Sequence, residues 1–438
     1  MIRVLRRKGK IEFFVFIAWS CVILYCTCII KSNVIDNLMQ IFLLFIMLLF
    51  VFLKKINFSL DKVAILFLAL IFVSCIPDLF YNSIIDSIIM MLSYILPVIM
   101  YICVISYCKN NEMPKATWRI PIVFGIIISL LGITNFSLRF MGLPIGSTLK
   151  YVEKFGNYME FSDYGLGVFA SWGTLAGKTL YRIQTYFIEP SKMAMFLIIP
   201  FFLLLNAYRD TKNKKNLLGL IFISIAFILT MSRAGIVSIV GSIILERIML
   251  RKKYIVKKRA NTYDIVRLII SGAIFIIVSV CLIYFLVFLS KFFPNIEFLS
   301  SGITSLEGKA NLIRNETVDQ NYILAHVISY PFGSGFGSIL ELNKVTNLAN
   351  ALIFWIMIGG IPALCIIISL MWKLFIEYYI PSINSNSTLQ RSLASAFVGL
   401  TIHSLSYGTW ITHEYLLVIA FMTTIQRNRI KKIGKSYR

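Results

Sequence analysis

Apolar residues run along this chain in long unbroken stretches, and the polar residues between them come in short clusters. Stretches such as 41–53, 63–73, 84–107 and 269–289 reach, alone or with their flanks, the roughly 20 residues that a helix needs to cross a bilayer. They do not alternate in polarity, as the roughly 10-residue strands of a membrane β-barrel do. The pattern predicts an all-α, polytopic integral membrane protein with about 12 transmembrane helices, near 11–30, 37–53, 62–80, 84–107, 118–138, 188–208, 216–231, 234–250, 266–290, 350–376, 392–410 and 413–426. Two interruptions are long, 139–187 and 291–349. They divide the chain into five helices in 1–138, a first loop, four helices in 188–290, a second loop, and three helices with a basic tail in 350–438.

Charge gives this pattern a direction. Positive residues gather in the N-terminal tail (Arg3, Arg6, Arg7, Lys8, Lys10), in Lys54/Lys55/Lys62, in Lys109/Lys115/Arg119, in Arg209/Lys212/Lys214/Lys215, between Arg247 and Arg267, at Lys373/Arg391 and in the tail from Arg427 to Arg438. Those groups fall on alternate loops and hold about 31 of the 43 Lys and Arg, as expected of cytoplasmic loops. Both termini are therefore expected in the cytoplasm, and both long loops outside. The formal net charge of +23 then sets orientation, and nucleic acid is not an expected partner. With 58% hydrophobic and 14% charged residues, the chain is far more apolar than a soluble domain, which carries about 25% charged residues. The basic, apolar N-terminus lacks a convincing small-residue cleavage site and reads as the first membrane helix. The eight cysteines lie mostly inside apolar runs without metal-ligand spacing, and read as small buried hydrophobes.

Candidate chemistry is confined to a few polar segments at the outward ends. The first loop mixes Tyr151, Phe155, Tyr158, Phe161, Tyr164, Trp172, Tyr181 and Tyr186 with glycines, which predicts an ordered segment at the membrane surface. Its aromatic rings would stack on sugars or anchor at headgroups. It ends in Arg182-Ile-Gln-Thr-Tyr-Phe-Ile-Glu189-Pro190-Ser191. Pro190 suits a first helical turn, and Glu189 suits the positive helix end. Arg233, in Thr230-Met231-Ser232-Arg233-Ala234-Gly235, is a cation between two apolar segments, costly unless it meets water, an anion or a partner. The second loop brings Lys309, Arg314, Glu316, Asp319 and His326 before Pro331-Phe332-Gly333-Ser334-Gly335-Phe336-Gly337. Without a preceding strand and a following Lys-Ser/Thr, these glycines read as tight backbone packing and not as a nucleotide loop. A fourth segment, Thr346-Asn347-Leu348-Ala349-Asn350, leads to Gly359-Gly360-Ile361-Pro362; Asn350 reads as an N-cap and the Gly-Gly-x-Pro as a kink.

In this order and spacing, the four segments resemble the bacterial O-antigen ligase and O-antigen polymerase family. The likeness covers roughly residues 180–376 and rests on Arg-x-x-x-x-Phe-x-x-Pro, Ser-Arg-x-Gly, Arg followed by Pro-x-Gly-x-Gly-x-Gly, and an Asn-bearing segment before a helix. It implies a membrane glycosyltransferase of the bacterial cytoplasmic (inner) membrane that uses undecaprenyl-diphosphate-linked oligosaccharide on the outward face. Arg182 and Arg233 would hold and stabilise the leaving diphosphate, with Arg314 in support and Glu189 as base or its partner. His326 and Asn350 would join the substrate-binding set. The diphosphate already activates the sugar, so the resemblance calls for no nucleotide, metal or other cofactor. Ligases carry a His immediately before the Asn aligned with Asn350. This chain has Ala349 there, which favours the polymerase branch, acting beside a flippase and a chain-length regulator in membrane lipid. His326, His403, His413, Glu189 and Glu414 remain the candidates for the base. The alternatives are a ligase acting on another acceptor, or a flippase for lipid-linked sugars. The asymmetric placement of the long loops argues against the duplicated halves of a transporter.

Overall fold

The computed structural model describes residues 2–27, 33–53, 60–81, 84–109, 113–140, 147–154, 157–164, 168–175, 178–187, 189–250, 325–339, 342, 351–406 and 410–436. Helices dominate: α1 Ile2–Cys26, α2 Asn33–Leu53, α3 Lys62–Cys75, α4 Asp78–Tyr81, α5 Ile84–Tyr107, α6 Ala116–Phe140, α7 Pro190–Thr211, α8 Lys214–Leu229, α9 Arg233–Leu250, α10 Ala351–Lys373, α11 Ile380–Ile383, α12 Thr388–Ser406 and α13 His413–Ser436. Eleven of the twelve expected positions hold helix, and the segment 266–290 lies outside the described residues. Among the described residues, five stretches are long and apolar enough to cross a membrane: Gly9–Cys26, Lys62–Phe80, Ala116–Ser137, Pro190–Thr211 and Ala351–Ile383.

The expectation of an all-α chain needs one amendment. The first long loop contains four antiparallel strands, β1 Ser147–Lys154, β2 Asn157–Tyr164, β3 Val168–Leu175 and β4 Lys178–Thr185, in the sheet order β1-β2-β3-β4. Trp172 lies opposite Tyr181, and Ser171 opposite Arg182. Tyr, Phe, Trp and Val in short runs broken by Gly are the composition of strands, so the aromatics that marked this loop as ordered also explain how it is ordered.

Helix packing follows the apolar pattern. α12 lies against α7 and α9, α10 against α3, α13 against α5, α1 along α2, and α6 against α8. Trp19, Tyr101, Tyr107, Trp355, Tyr379 and Tyr415 are fully buried among them. The outer surface is apolar as well: Phe42, Phe45, Phe52, Phe72, Phe80, Ile228 and Ile368 are all exposed. So many large apolar side chains on the exterior suit lipid and not water.

Charged side chains, buried at Asp61 and Glu246 and exposed at Asp210, join helix ends. Asp61 caps α3 through the Ala64 N–H at 2.7 Å, and its other oxygen accepts from Tyr101 Oη at 2.9 Å and Arg427 Nη2 at 2.7 Å. That joins α3, α5 and α13. Glu246 of α9 accepts from Arg209 Nη1 of α7 at 2.6 Å and Ser395 Oγ of α12 at 3.0 Å. Asp210 binds Arg391 at 2.6 Å and Thr388 beside it.

Candidate functional site

Strand β4 sorts its side chains by alternation. Ile183 and Thr185 are buried against α6, where Gly132 has no Cβ to meet them. Arg182, on the opposite face, donates its Nε–H to the Thr230 carbonyl at 2.9 Å. Thr230 is the C-cap of α8, so this carbonyl belongs to the negative helix end that favours a cation. Two segments 48 residues apart are thereby joined.

The Thr230–Ser232 turn reverses the chain between α8 and α9. Thr230 Oγ1 donates to the Phe227 carbonyl at 2.6 Å, Met231 takes the left-handed region at φ 50°, and Ser232 Oγ accepts from Gly235 N–H at 3.3 Å. Arg233 is the first residue of α9. A Cβ on Gly235 would strike the Phe227 ring and Ala194, so the glycine of Ser-Arg-x-Gly lets the α9 start close onto α8 and α7. This places the backbone of the Arg233 segment beside the carbonyl that holds Arg182.

Beyond β4, buried Phe187 pairs with Thr27 at the end of α1, and the chain enters α7 with Glu189 as N-cap and Pro190 at the first turn. The Glu189 side chain does not cap its own helix. Burial pushes its carboxyl above the ordinary carboxylate range, and the positive charges of Lys192 and Arg182 act against that push. Fully buried His403 of α12 neighbours Ser191 and Lys192. Lys192 is the residue that sequence reading passed over. The motif ends at Ser191, and only helical periodicity, which puts residues three apart on one face, signals that Lys192 returns to Glu189.

Two other base candidates lie on the far side of the Thr27–Phe187 bridge. Glu414 is buried and accepts from Cys26 Sγ at 3.4 Å, and the His413 ring lies 4.3 Å from that of Tyr25.

His326 belongs to a different group. It sits on a helical turn at 325–329, packs on Tyr330 at 4.9 Å and hydrogen-bonds the Met357 main chain. Burial pushes its imidazole down, against the effect of that bond. The glycine segment beside it repairs a broken helix. α10 leaves helical geometry at Gly360 (φ 62°), and Pro362 brings no N–H, so the Met357 and Ile358 carbonyls lose their helical donors. Ser334 N–H and Gly335 N–H bind those two carbonyls, each at 3.0 Å, and Ile361 N–H bonds the Pro331 carbonyl at 2.9 Å. Gly333 and Gly335 have φ of 84° and 81°, a region closed to most side chains. The Asp78 carboxylate accepts from Phe336 N–H and Gly337 N–H, both at 2.9 Å. Tight packing and the kink thus appear together, each supplying what the other lacks. Arg314 and Asn350 lie outside the described residues.

No protein-family model matches the chain, and no curated protein matches it. The candidate site therefore rests on its chemistry: Arg182, Glu189 and Lys192, with the Arg233 backbone, gathered where β4, α7, α8 and α9 meet.

Proposed function

We propose that this chain is a polysaccharide polymerase of the bacterial cytoplasmic membrane. It transfers a growing glycan from undecaprenyl diphosphate to a sugar hydroxyl of the next lipid-linked repeat unit on the outer leaflet. The observation that carries the reading is the Arg182 bond to Thr230, which unites the Arg-x-x-x-x-Phe-x-x-Pro and Ser-Arg-x-Gly segments at one set of helix ends. In this reading Arg182 and Arg233, supported by Arg314, hold the diphosphate. Arginine suits the task because its planar fork binds two phosphate oxygens. Glu189 takes the proton of the acceptor hydroxyl as that oxygen bonds to the anomeric carbon. The bond from that carbon to the diphosphate oxygen breaks, and undecaprenyl diphosphate leaves with the negative charge that the arginines stabilise.

The twelve-span topology with both termini inside is part of the same proposal. Helix-end contacts support it: Asp61 with Arg427, Arg209 with Glu246 and Asp210 with Arg391 join ends on one side. Arg182 with Thr230, Thr27 with Phe187 and Cys26 with Glu414 join ends on the other.

Purified protein incubated with defined lipid-linked repeat units and no nucleotide tests the activity. Extension into long chains is expected, and Arg182→Ala and Arg233→Ala proteins that still reach the membrane should leave single repeats. Transfer only to a different acceptor would instead indicate a ligase. Normal chain lengths in both variants would overturn the assignment of these arginines.

A further inference from the structure

We infer that Glu414, with the rings of Tyr25 and His413, forms a subsite for the acceptor sugar, the part of the next repeat unit that offers the attacking hydroxyl. The inference rests on the polymerase reading and gives the second substrate of that reading a place of its own.

Glu414 is a carboxylate without the partner that its burial calls for. It is 1% exposed at the start of α13. Among the described residues its side chain accepts one hydrogen bond, from Cys26 Sγ at 3.4 Å, and forms no ion pair. A thiol is a weak donor, and burying a carboxylate that is held by so little is costly. Helix capping does not account for it. Thr412 caps α13, its Oγ1 accepting from Tyr415 N–H at 3.4 Å and its carbonyl from Leu416 N–H at 3.0 Å. The Glu414 carboxylate instead meets α1, with lone pairs left for stronger donors.

Aromatic rings stand beside it. Those of Tyr25 and His413 pack at 4.3 Å, and each residue adjoins in sequence one partner of the Cys26–Glu414 bond. Rings and carboxylate therefore share one contact between α1 and α13. Tyr25 is half-exposed, so the contact can be reached although Glu414 is shielded. A sugar is matched to such a combination: its C–H face lies on a ring, and its hydroxyls donate to the carboxylate bonds stronger than the one from the thiol.

Location assigns that sugar to the acceptor. The Thr27–Phe187 bridge ties the end of α1 to the segment between Arg182 and Glu189, so this contact adjoins the donor site. A carboxylate repels a diphosphate, whereas the acceptor enters the reaction through a hydroxyl.

The test supplies saturating lipid-linked repeat units as donor. The acceptor is the same repeat unit as a long-chain alkyl glycoside, which has hydroxyls to extend but no diphosphate to lose. Glu414→Gln should raise the KM of this acceptor by roughly 10–100-fold, the scale of a hydrogen bond to a charged group, while direct binding of undecaprenyl diphosphate keeps its wild-type strength. Tyr25→Leu should raise acceptor KM several-fold, and Tyr25→Phe, which keeps the ring, should restore most of the difference. Unchanged acceptor KM in both Glu414→Gln and Tyr25→Leu would overturn this inference alone, as would a loss of undecaprenyl diphosphate binding that parallels the rise in acceptor KM. A fall in kcat in Glu414→Gln at unchanged acceptor KM, with the acid limb of the pH profile gone, would make Glu414 the base and overturn it too. If wild type extends neither lipid-linked units nor the glycoside, the polymerase reading falls and this inference with it.

Discussion

At Glu189, at the N-terminal end of α7, a half-buried carboxylate feels both its burial and the charges of two cations, and these influences oppose each other. Burial raises its proton affinity and wins over Lys192 and Arg182, so the group stands above the ordinary carboxylate range. A base must be deprotonated to act, so activity should be lost as pH falls through this raised value, earlier than for a solvated glutamate. The acid limb of the pH dependence of kcat/KM checks this. Glu189→Gln should cost roughly 10²–10⁴-fold in rate, the usual contribution of a general base, and should abolish that limb. A limb unchanged in Glu189→Gln would assign it to another group, with Glu414 beside Cys26 the next to test. Arg182 and Glu189 were legible in the sequence because a charged residue is rare and costly beside an apolar run. Lys192 was not, because its meaning depends on which residue the first turn of α7 brings it back to. His326 shows the converse: its residue type invites chemistry, while its partner, the Met357 main chain, is a neighbour that only folding supplies.

Among the elements, α10 shows how much of a break can be read and where reading stops. Gly359-Gly360-Ile361-Pro362 announces a kink from composition alone, and glycines at 333, 335 and 337 announce close packing. Nothing in either segment says that one mends the other, or that Asp78, 258 residues before Phe336, anchors the mend. The same holds for the clamp on α7, α9 and α12. Arg209 reads as an ordinary loop cation, and Glu246 as a charge near a helix end, yet they meet at 2.6 Å with the Glu246 side chain only 3% exposed. Removing one partner of such a pair strands the other. Arg209→Met, which strands the buried Glu246 carboxylate, should therefore lower stability by roughly 3–5 kcal/mol, read as a large drop in Tm in detergent. Arg209→Met together with Glu246→Leu should recover much of the loss, since an apolar pair leaves no buried charge unmatched. A double variant as unstable as the sum of the single ones would mean that the two residues act independently.

For the whole molecule, the proposed orientation rests on two lines of reasoning. The positive-inside asymmetry uses only the positions of Lys and Arg in loops. The helix-end contacts use only who touches whom, and they divide the ends into two sets: Asp61, Arg427, Arg209, Glu246, Asp210 and Arg391 in one, Thr27, Phe187, Arg182, Thr230, Cys26 and Glu414 in the other. Charge counting assigns the first set to the cytoplasm and the second outside, without a member in conflict. An added or missing span between α1 and α9 would have broken that agreement, because helices beyond the error would present the wrong ends to their partners. The consequence is measurable in a cysteine-free protein carrying one new thiol. Ser171→Cys, in β3, should react with a membrane-impermeant maleimide on intact cells. Lys212→Cys, at the exposed left-handed cap between α7 and α8, should react only after the membrane is opened. The reverse labelling would turn the arginine and glutamate cluster toward the cytoplasm, away from the leaflet on which the proposed transfer takes place.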